Sequence, residues 1–194
     1  MIIRLMELFN KLLMMRQLKF QLGEIDLLNQ RVVLAPGAML RNFTYFMIKH
    51  PETVPEIYEL MRLSFDEGWA EPVKKAYGFK SKDFFRWLID LSNVAGWGTS
   101  ELVSLDEPTS SGVFRTRNAV VSKYLVKKYS EPVCHIWRGL TAGGTTAVFK
   151  KDMDWVEIKC LGKGDDCCEF VFKPRELMRK ESNPLFLKQL PIYQ

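Results

Sequence analysis

The stretch DWVEIKCLGKGDDCCEFVFK, residues 154–173, predicts the fold of the last third of this chain. Two runs rich in apolar side chains, 154–161 and 167–173, flank the turn-forming residues 162–166, a pattern typical of a β-hairpin. A five-residue loop places Cys160 opposite Cys168, and opposed residues on one face of a sheet have Cβ atoms roughly 5 Å apart. Two thiolates at that separation can bind one metal ion. Successive side chains of a strand point to opposite faces, so Cys167 should point away from Cys160 and Cys168 and lie outside such a site.

Cys134 lies near the start of a helix that we predict from Ser130, as its N-cap, to about Phe149, with Pro132 in the first turn. The N-terminus of a helix favours the thiolate form of cysteine, which is the form that binds metal. A fourth ligand stays open on these grounds. Glu157 would need a β-bulge to reach the face of Cys160, and His135 would diverge from its neighbour Cys134. Inert buried thiols and disulfides are the alternatives to a metal site.

The composition is that of an ordinary globular protein of one domain, with 194 residues, 47% hydrophobic and 26% charged. The net charge of +5 is scattered and permits an acidic partner without requiring one. Basic residues near the C-terminus lack interleaved aromatic residues, so nucleic acid is not an expected partner. No apolar run reaches the ~18 residues of a membrane span, and no secretory signal is visible. We therefore expect no membrane span and a cytoplasmic location, where thiols stay reduced.

The rest of the chain alternates hairpins and helices. We predict strands at 17–22 and 30–35 with a turn between them, and strands at 98–105 and 112–118. Helices are predicted at 36–49, at 53–77 with a break near Gly68 or Pro72, at 82–94 with Ser81 as N-cap, and at 119–129. This order indicates an α/β fold in which an antiparallel sheet packs with helices, without βαβ units.

The N-terminal residues 2–16 have helical apolar spacing with an unusually wide apolar face, which its own domain or a second subunit must cover. We expect a homodimer and divide the chain into three parts. Residues 1–35 form an N-terminal helix and hairpin, a candidate dimerisation element. Residues 36–174 form a ligand-binding domain, and residues 175–194 form a polar tail. Gly139, Gly143 and Ala147 recur every four residues, so their helix should pack closely on a neighbour within the fold.

Several short motifs resemble the V4R (4-vinyl reductase) domain: EPVC at 131–134, Gly139 and Gly143, EIKC at 157–160, Gly164-Asp165, and CEF at 168–170. The close resemblance covers about 113–174, and a looser one reaches back to 96–98. The chain is similar to the zinc-containing sensor domains of aromatic-responsive transcription activators. The resemblance also implies a relation in fold to the TRAPP vesicle-tethering subunits. The resemblance therefore implies a V4R/TRAPP-like, zinc-stabilised fold.

The resemblance also implies the ligand set. Phenol-sensing members hold zinc with three cysteines and a glutamate, spaced by 23, 3 and 8 positions. Cys134, Glu157, Cys160 and Cys168 have the same spacing here. The match implies that Glu157 is the fourth ligand and that its strand is locally irregular. The histidine that phenol sensors place in their pocket is replaced by Phe85, which implies a ligand less polar than phenol.

The expected function is binding of a small hydrophobic or aromatic molecule, with zinc as a structural cofactor because four protein ligands leave no open position. The sequence has no GxGxxG after a strand, no Walker motif and no credible Ser-His-Asp set, so catalysis stays open and reduction of a vinyl group is the least favoured function. An interaction adaptor of the tethering-subunit type is the alternative. The aromatic residues that could line a pocket are each more commonly core residues: Phe84, Phe85, Trp87, Trp97, Phe114 and Trp137.

Overall fold

The computed structural model describes Glu7, Asn10 and residues 12–190 of the chain. Its strands are β1 (Leu18–Gln21), β2 (Glu24–Leu27), β3 (Gln30–Val32), β4 (Thr99–Asp106), β5 (Ser111–Arg117), β6 (Met153–Lys159) and β7 (Cys168–Pro174). Its α-helices are α1 (Gly37–Lys49), α2 (Val54–Phe65), α3 (Glu71–Tyr77), α4 (Ser81–Val94), α5 (His135–Phe149), α6 (Arg175–Met178) and α7 (Pro184–Gln189).

The central sheet is antiparallel, with the strand order β4-β5-β7-β6. Alternate residues of β7 point to its two faces, and Phe170 and Phe172 join the main core while Val171 joins a smaller cluster on the opposite face. Helices α2, α4 and α5 pack against the main-core side. This architecture confirms the predicted α/β class, an antiparallel sheet packed with helices.

The N-terminal sheet has three strands where two were predicted. Residues 24–27, which the sequence analysis assigned to a turn, form β2 between β1 and β3. Two tight turns make this possible, because Gly23 has φ of 77° and Leu28 and Asn29 have φ of 56° and 60°. Two successive residues with positive φ form the turn that suits a two-residue hairpin. Leu28 is an uncommon residue for that role and gave no turn signal.

The predicted helix at 2–16 lies mostly outside the described residues. The long helix predicted at 53–77 is broken as expected, by a π-helical turn at Asp66–Ala70 that contains Gly68. Ser81 is the first residue of α4 and does not cap it, since Lys80 takes that position with extended backbone.

The predicted helix at 119–129 was wrong. The segment forms turns and one short 3-10 helix, Lys123–Leu125. Its later N–H groups leave the helical pattern because they donate to the loop of the β6–β7 hairpin: Lys127 to the carbonyl of Leu161 (3.2 Å), and Lys128 and Tyr129 to that of Gly162 (3.0 and 3.1 Å). A tertiary contact therefore overrides the local helix propensity.

Two glycines let α5 lie directly on α2. A Cβ atom on Gly139 would stand 2.6 Å from the carbonyl oxygen of Tyr58, and one on Gly143 would stand 2.3 Å from that of Arg62. Real Cβ atoms do not approach backbone oxygens so closely, so both positions need glycine. The prediction that this small-residue stripe packs within the fold is confirmed, and the contact fixes where α5 begins.

Residues 175–190 fold back onto the sheet. Met178 of α6 and Phe186 of α7 are buried with Val156 on the face of β6 and β7 that lies away from the main core. The segment predicted as a polar, solvated tail thus covers apolar surface. Its apolar residues are widely spaced and show no clear helical period, so the sequence did not predict this packing. Within the described part of the chain, no helix combines the length and apolar character that crossing a membrane requires.

Candidate metal centre

Four buried side chains converge between the start of α5 and the β6–β7 hairpin. The sulfur atoms of Cys134, Cys160 and Cys168 and a carboxylate oxygen of Glu157 all lie within 4.8 Å of one another. All four residues are fully buried. These are the residues whose spacing matched the resemblance, and the fold brings all of them together.

The hairpin register explains how Glu157 joins the cluster. Glu157 pairs with Phe170, and Lys159 pairs with Glu169, so Ile158 is an extra residue on β6. A bulge of one residue reverses the alternation beyond it. Glu157 and Cys160 therefore share one face although they are three positions apart. The local irregularity that the resemblance implied is confirmed.

The sulfur geometry suits a tetrahedral metal. The Sγ atoms of Cys134 and Cys168 are 3.6 Å apart, and two thiolates bound to one zinc at about 2.3 Å stand about 3.8 Å apart. Cys168 Sγ also contacts the Ser122 hydroxyl at 3.1 Å and accepts the N–H of Leu161 at 3.5 Å.

Cys134 occupies the N-cap position of α5, with φ of −84° and ψ of 39°, so the helix begins later than predicted. The Ser130 cap and the helical turn at Pro132 were wrong. The backbone N–H of Cys134 donates to Glu157 Oε2 at 3.0 Å. This bond takes one of the free N–H groups at the helix start and links two predicted ligands directly.

The second carboxylate oxygen, Glu157 Oε1, is buried and has no hydrogen-bond partner. A buried unpaired acceptor is costly, and an anion more so. Burial raises the pKa of Glu157 and of the Cys134 thiol well above their ordinary values. Hydrogen bonds from Cys134 and Cys168 instead lower the pKa of Cys160 to about 2. A cation bound here would satisfy the unpaired oxygen and stabilise the ionised forms of these side chains, so the residues fit a metal ion.

The two competing residues lie elsewhere. Cys167 Sγ donates to Asp166 Oδ1 at 3.4 Å and is not in the cluster. His135 is also outside it; its Nδ1 is buried and unpaired, and burial lowers its pKa to about 3, so the ring is neutral. The tail residue Gln189 and the helical residue Arg138 border the cluster. Sequence reasoning missed both, although a single Lys or Arg side chain in the largely uncharged helix α5 was a visible signal.

Phe85, the residue expected at a ligand pocket, is enclosed by aromatic rings. Its ring meets those of Phe149 and Phe172 edge to face, with centroids 5.7 and 5.9 Å apart. Two surface grooves of about 320 and 420 Å³ lie elsewhere, the first between α3 and the end of α5 and the second along the N-terminal sheet. Phe85 lines neither of them.

Known proteins share both the motif region and the fold. The family model of the V4R domain matches residues 116–174. The phenol-responsive sensory domain of the transcription activator PoxR, solved with phenol, superposes with a TM-score of 0.70 at 20% identity, covering 91% of this chain and 93% of that domain. A trafficking protein particle complex subunit 3 from Naegleria fowleri, covalently bound to palmitic acid, gives a TM-score of 0.45 at 12% identity, covering 71% of this chain and 91% of that one.

Two uncharacterised proteins of Methanocaldococcus jannaschii are 43% identical over 42 residues and 38% identical over 53 residues. These matches cover 22% and 27% of this chain, and only 23% and 31% of the length of those relatives. The likeness to the sensory domain spans nearly the whole chain and establishes the fold. Residues 116–174 therefore match the V4R domain, within a fold that the chain shares with a phenol-responsive sensory domain.

Proposed function

We propose that this chain is a non-catalytic sensor-type domain that binds a small hydrophobic or aromatic molecule and is stabilised by one zinc ion. The observation that carries the zinc proposal is the buried cluster of Cys134, Glu157, Cys160 and Cys168, whose ligand atoms lie within 4.8 Å of one another. Three thiolates and one carboxylate favour zinc over the hard cations Mg²⁺ and Ca²⁺, which prefer oxygen.

The zinc would act as a structural cross-link. Four buried protein ligands leave no position for an activated water molecule, which is the arrangement of structural zinc sites. In this arrangement Cys134 ties the start of α5 to the β6–β7 hairpin through the ion. The free energy of zinc binding would then add to the stability of the fold.

The ligand proposal is supported by the fold that the chain shares with a sensory domain solved with phenol. In this chain Phe85 offers an apolar ring and no polar group, so the favoured ligand is less polar than phenol. Since Phe149 and Phe172 close around Phe85, ligand entry requires these rings to move.

An interaction adaptor is the second candidate. The packing of Phe149 and Phe172 around Phe85 favours this function, because a region already filled by side chains leaves no room for a ligand. It is also favoured by three exposed apolar side chains spaced along one face of α1: Met39, Phe43 and Phe46.

Native mass spectrometry of freshly purified protein tests the zinc proposal and also reports the subunit number and any small molecule that co-purifies. We expect one zinc per chain. Reduced, unchelated protein with clearly less than one equivalent of zinc would contradict the proposal.

A thermal-shift screen of apolar aromatics, phenols, fatty acids and tetrapyrroles tests the ligand proposal, because a bound ligand raises the melting temperature by mass action. Phe85→His should shift the preference toward phenol, and the same change at the exposed Phe43 should not. If no compound stabilises the protein, the adaptor function replaces the ligand-binding one.

We also propose that the chain forms a homodimer in the cytoplasm. All four cysteines are free thiols, which agrees with a reducing compartment. The wide apolar face predicted for residues 2–16 and the exposed apolar side chains of the N-terminal sheet support self-association.

A further inference from the structure

Gln189, in the last turn of α7, holds the backbone of Glu157. Its side-chain oxygen accepts the N–H of Glu157 at 3.0 Å, and its side-chain nitrogen donates to the carbonyl oxygen of Glu157 at 2.9 Å. The Gln189 side chain is buried. One amide group thus satisfies both backbone polar groups of a predicted metal ligand.

This contact falls where the sheet is weakest. β6 is an edge strand of its sheet, so Glu157 can pair with a neighbouring strand on one side only. The bulge at Ile158 interrupts that pairing as well. An edge strand with a bulge has few bonds to fix its backbone. The amide of Gln189 therefore takes the place that an adjoining strand would occupy.

Arg138 fixes Gln189 in turn. The Arg138 guanidinium donates to Gln189 Oε1 at 2.5 Å and to the Gln189 backbone oxygen at 2.8 Å, and it lies 4.9 Å from the centre of the Tyr58 ring. Arg138 follows Cys134 by one helical turn and donates its N–H to the Cys134 carbonyl at 2.9 Å. Gln189 thus connects the helix that carries Cys134 with the strand that carries Glu157.

We propose that Gln189, held by Arg138, is a positioning residue that sets the β6 bulge so that Glu157 presents its unpaired oxygen to the metal. This inference rests on the proposed metal site. The physical reason is that a ligand must be held within a fraction of an ångström of its binding position, and hydrogen bonds outside the ligand set supply that constraint. Cys160 and Cys168 do not depend on Gln189 in this way, because they are bonded by the hairpin loop itself.

The test uses Co²⁺ in place of zinc, because its absorption bands report both the sulfur ligands and the geometry around the metal. Gln189→Leu removes all of the hydrogen bonds of the side-chain amide and replaces it with an apolar side chain of similar size. We expect the sulfur-to-cobalt band to remain, the visible bands to shift as Glu157 leaves the metal, and the affinity measured against a chelator to fall by roughly 10-fold to 100-fold. Lys188→Gln is the matched control, since Lys188 is exposed on the same helix and should leave spectrum and affinity unchanged.

Gln189→Asn is the second variant, for the case that the leucine variant does not fold by circular dichroism. It keeps the amide but is one methylene shorter, so it cannot reach both Glu157 and Arg138, and it should give the same spectral shift. A variant that folds, melts at a lower temperature and keeps the wild-type cobalt spectrum and affinity would overturn the inference. The role of Gln189 would then be structural only. Failure of the wild-type chain to bind one equivalent of Co²⁺ or Zn²⁺ would instead overturn the metal site itself.

Discussion

Glu157 combines two properties at the scale of a single residue. One carboxylate oxygen accepts a hydrogen bond from the backbone N–H of Cys134, and the other is buried without a hydrogen-bond partner. The cost of the second oxygen is of the order of 1–3 kcal/mol for a neutral group and larger for an anion. Such a group is expected only where a further partner binds, and the three neighbouring cysteines indicate a metal ion.

We expect Cys134→Ser, Cys160→Ser and Cys168→Ser each to lose zinc, because the hydroxyl of serine is a much weaker ligand for zinc than a thiolate. Loss of the ion also removes its contribution to folding, so the melting temperature should fall by ~10 °C or more. Cys167→Ser should keep one zinc per chain, since Cys167 contacts Asp166 instead. Elemental analysis and a thermal melt on the four variants check this. An essential Cys167 together with a dispensable Cys168 would show that the strand register is shifted by one residue.

Cys160 and Cys168 could be predicted as neighbours because spacing along one hairpin is local information, whereas Glu157 was assigned as a ligand only through the resemblance. Cys160 and Cys168 are paired by the hairpin register, and the chain needs only a turn to bring them together. Gln189 and Arg138 could not be predicted in the same way. Gln189 is 32 positions from Glu157 in the sequence, and only the folding of α7 against β6 creates the contact. The bulge was inferred from the resemblance and not from any turn residue in β6.

Helix α5 is the element on which the site depends. Cys134 is its N-cap residue, and its glycine stripe rests on the backbone of α2. The far end of the helix is also held, since Lys74 donates to the carbonyl oxygens of Ala147 and Val148 at 2.7 and 3.2 Å. A positive charge at the C-terminus of a helix is favourable. Any shift of α5 relative to α2 would therefore move Cys134 away from the hairpin.

We expect Gly143→Ala to destabilise the protein by ~3 kcal/mol or more, because its Cβ would stand 2.3 Å from the carbonyl oxygen of Arg62 and 3.0 Å from the backbone nitrogen of Asp66. Backbone atoms cannot move aside as a flexible side chain can. Gly68→Ala is the control within the neighbouring π-helical turn, where a Cβ meets nothing within 4 Å, and it should be neutral or slightly stabilising. Urea unfolding of both variants measures the difference. Equal stability of the two would mean that the contact between α2 and α5 is looser than described.

Regular elements were predicted where local signals are strong, as for α1, α4 and the two long hairpins. The failures have a common cause. β2 was missed because Leu28 adopts a turn conformation without being a turn residue, and the segment 119–129 was called helical because its bonds to the hairpin loop are invisible in the sequence. Both errors arise where tertiary contacts decide the backbone conformation.

At the scale of the whole molecule, apolar side chains are exposed unevenly. The sheet of β1, β2 and β3 and the residues beside it expose Phe20, Leu22, Val33 and Leu34, and the last three are more than 80% accessible. Six of the residues around them line a groove of about 420 Å³, among them Ile25 and Arg31. Neighbouring apolar side chains that remain this accessible are typical of surfaces that bind another molecule. The second copy of the chain is the partner we propose.

We expect the intact chain to be a dimer in solution at micromolar concentration, since a stable interface buries about 1,200–2,000 Å² in total and the N-terminal sheet can supply apolar area at its centre. The double variant Leu22→Lys, Leu34→Lys should be a folded monomer, because two charges cannot be buried without partners. Leu60→Lys on α2 and Leu187→Lys on α7 alter leucines that are about half exposed and lie outside the N-terminal sheet, and both variants should stay dimeric. Light scattering coupled to gel filtration measures the mass of each. A monomeric intact chain would end the dimer proposal, and dissociation by Leu60→Lys alone would move the interface from the N-terminal sheet to α2.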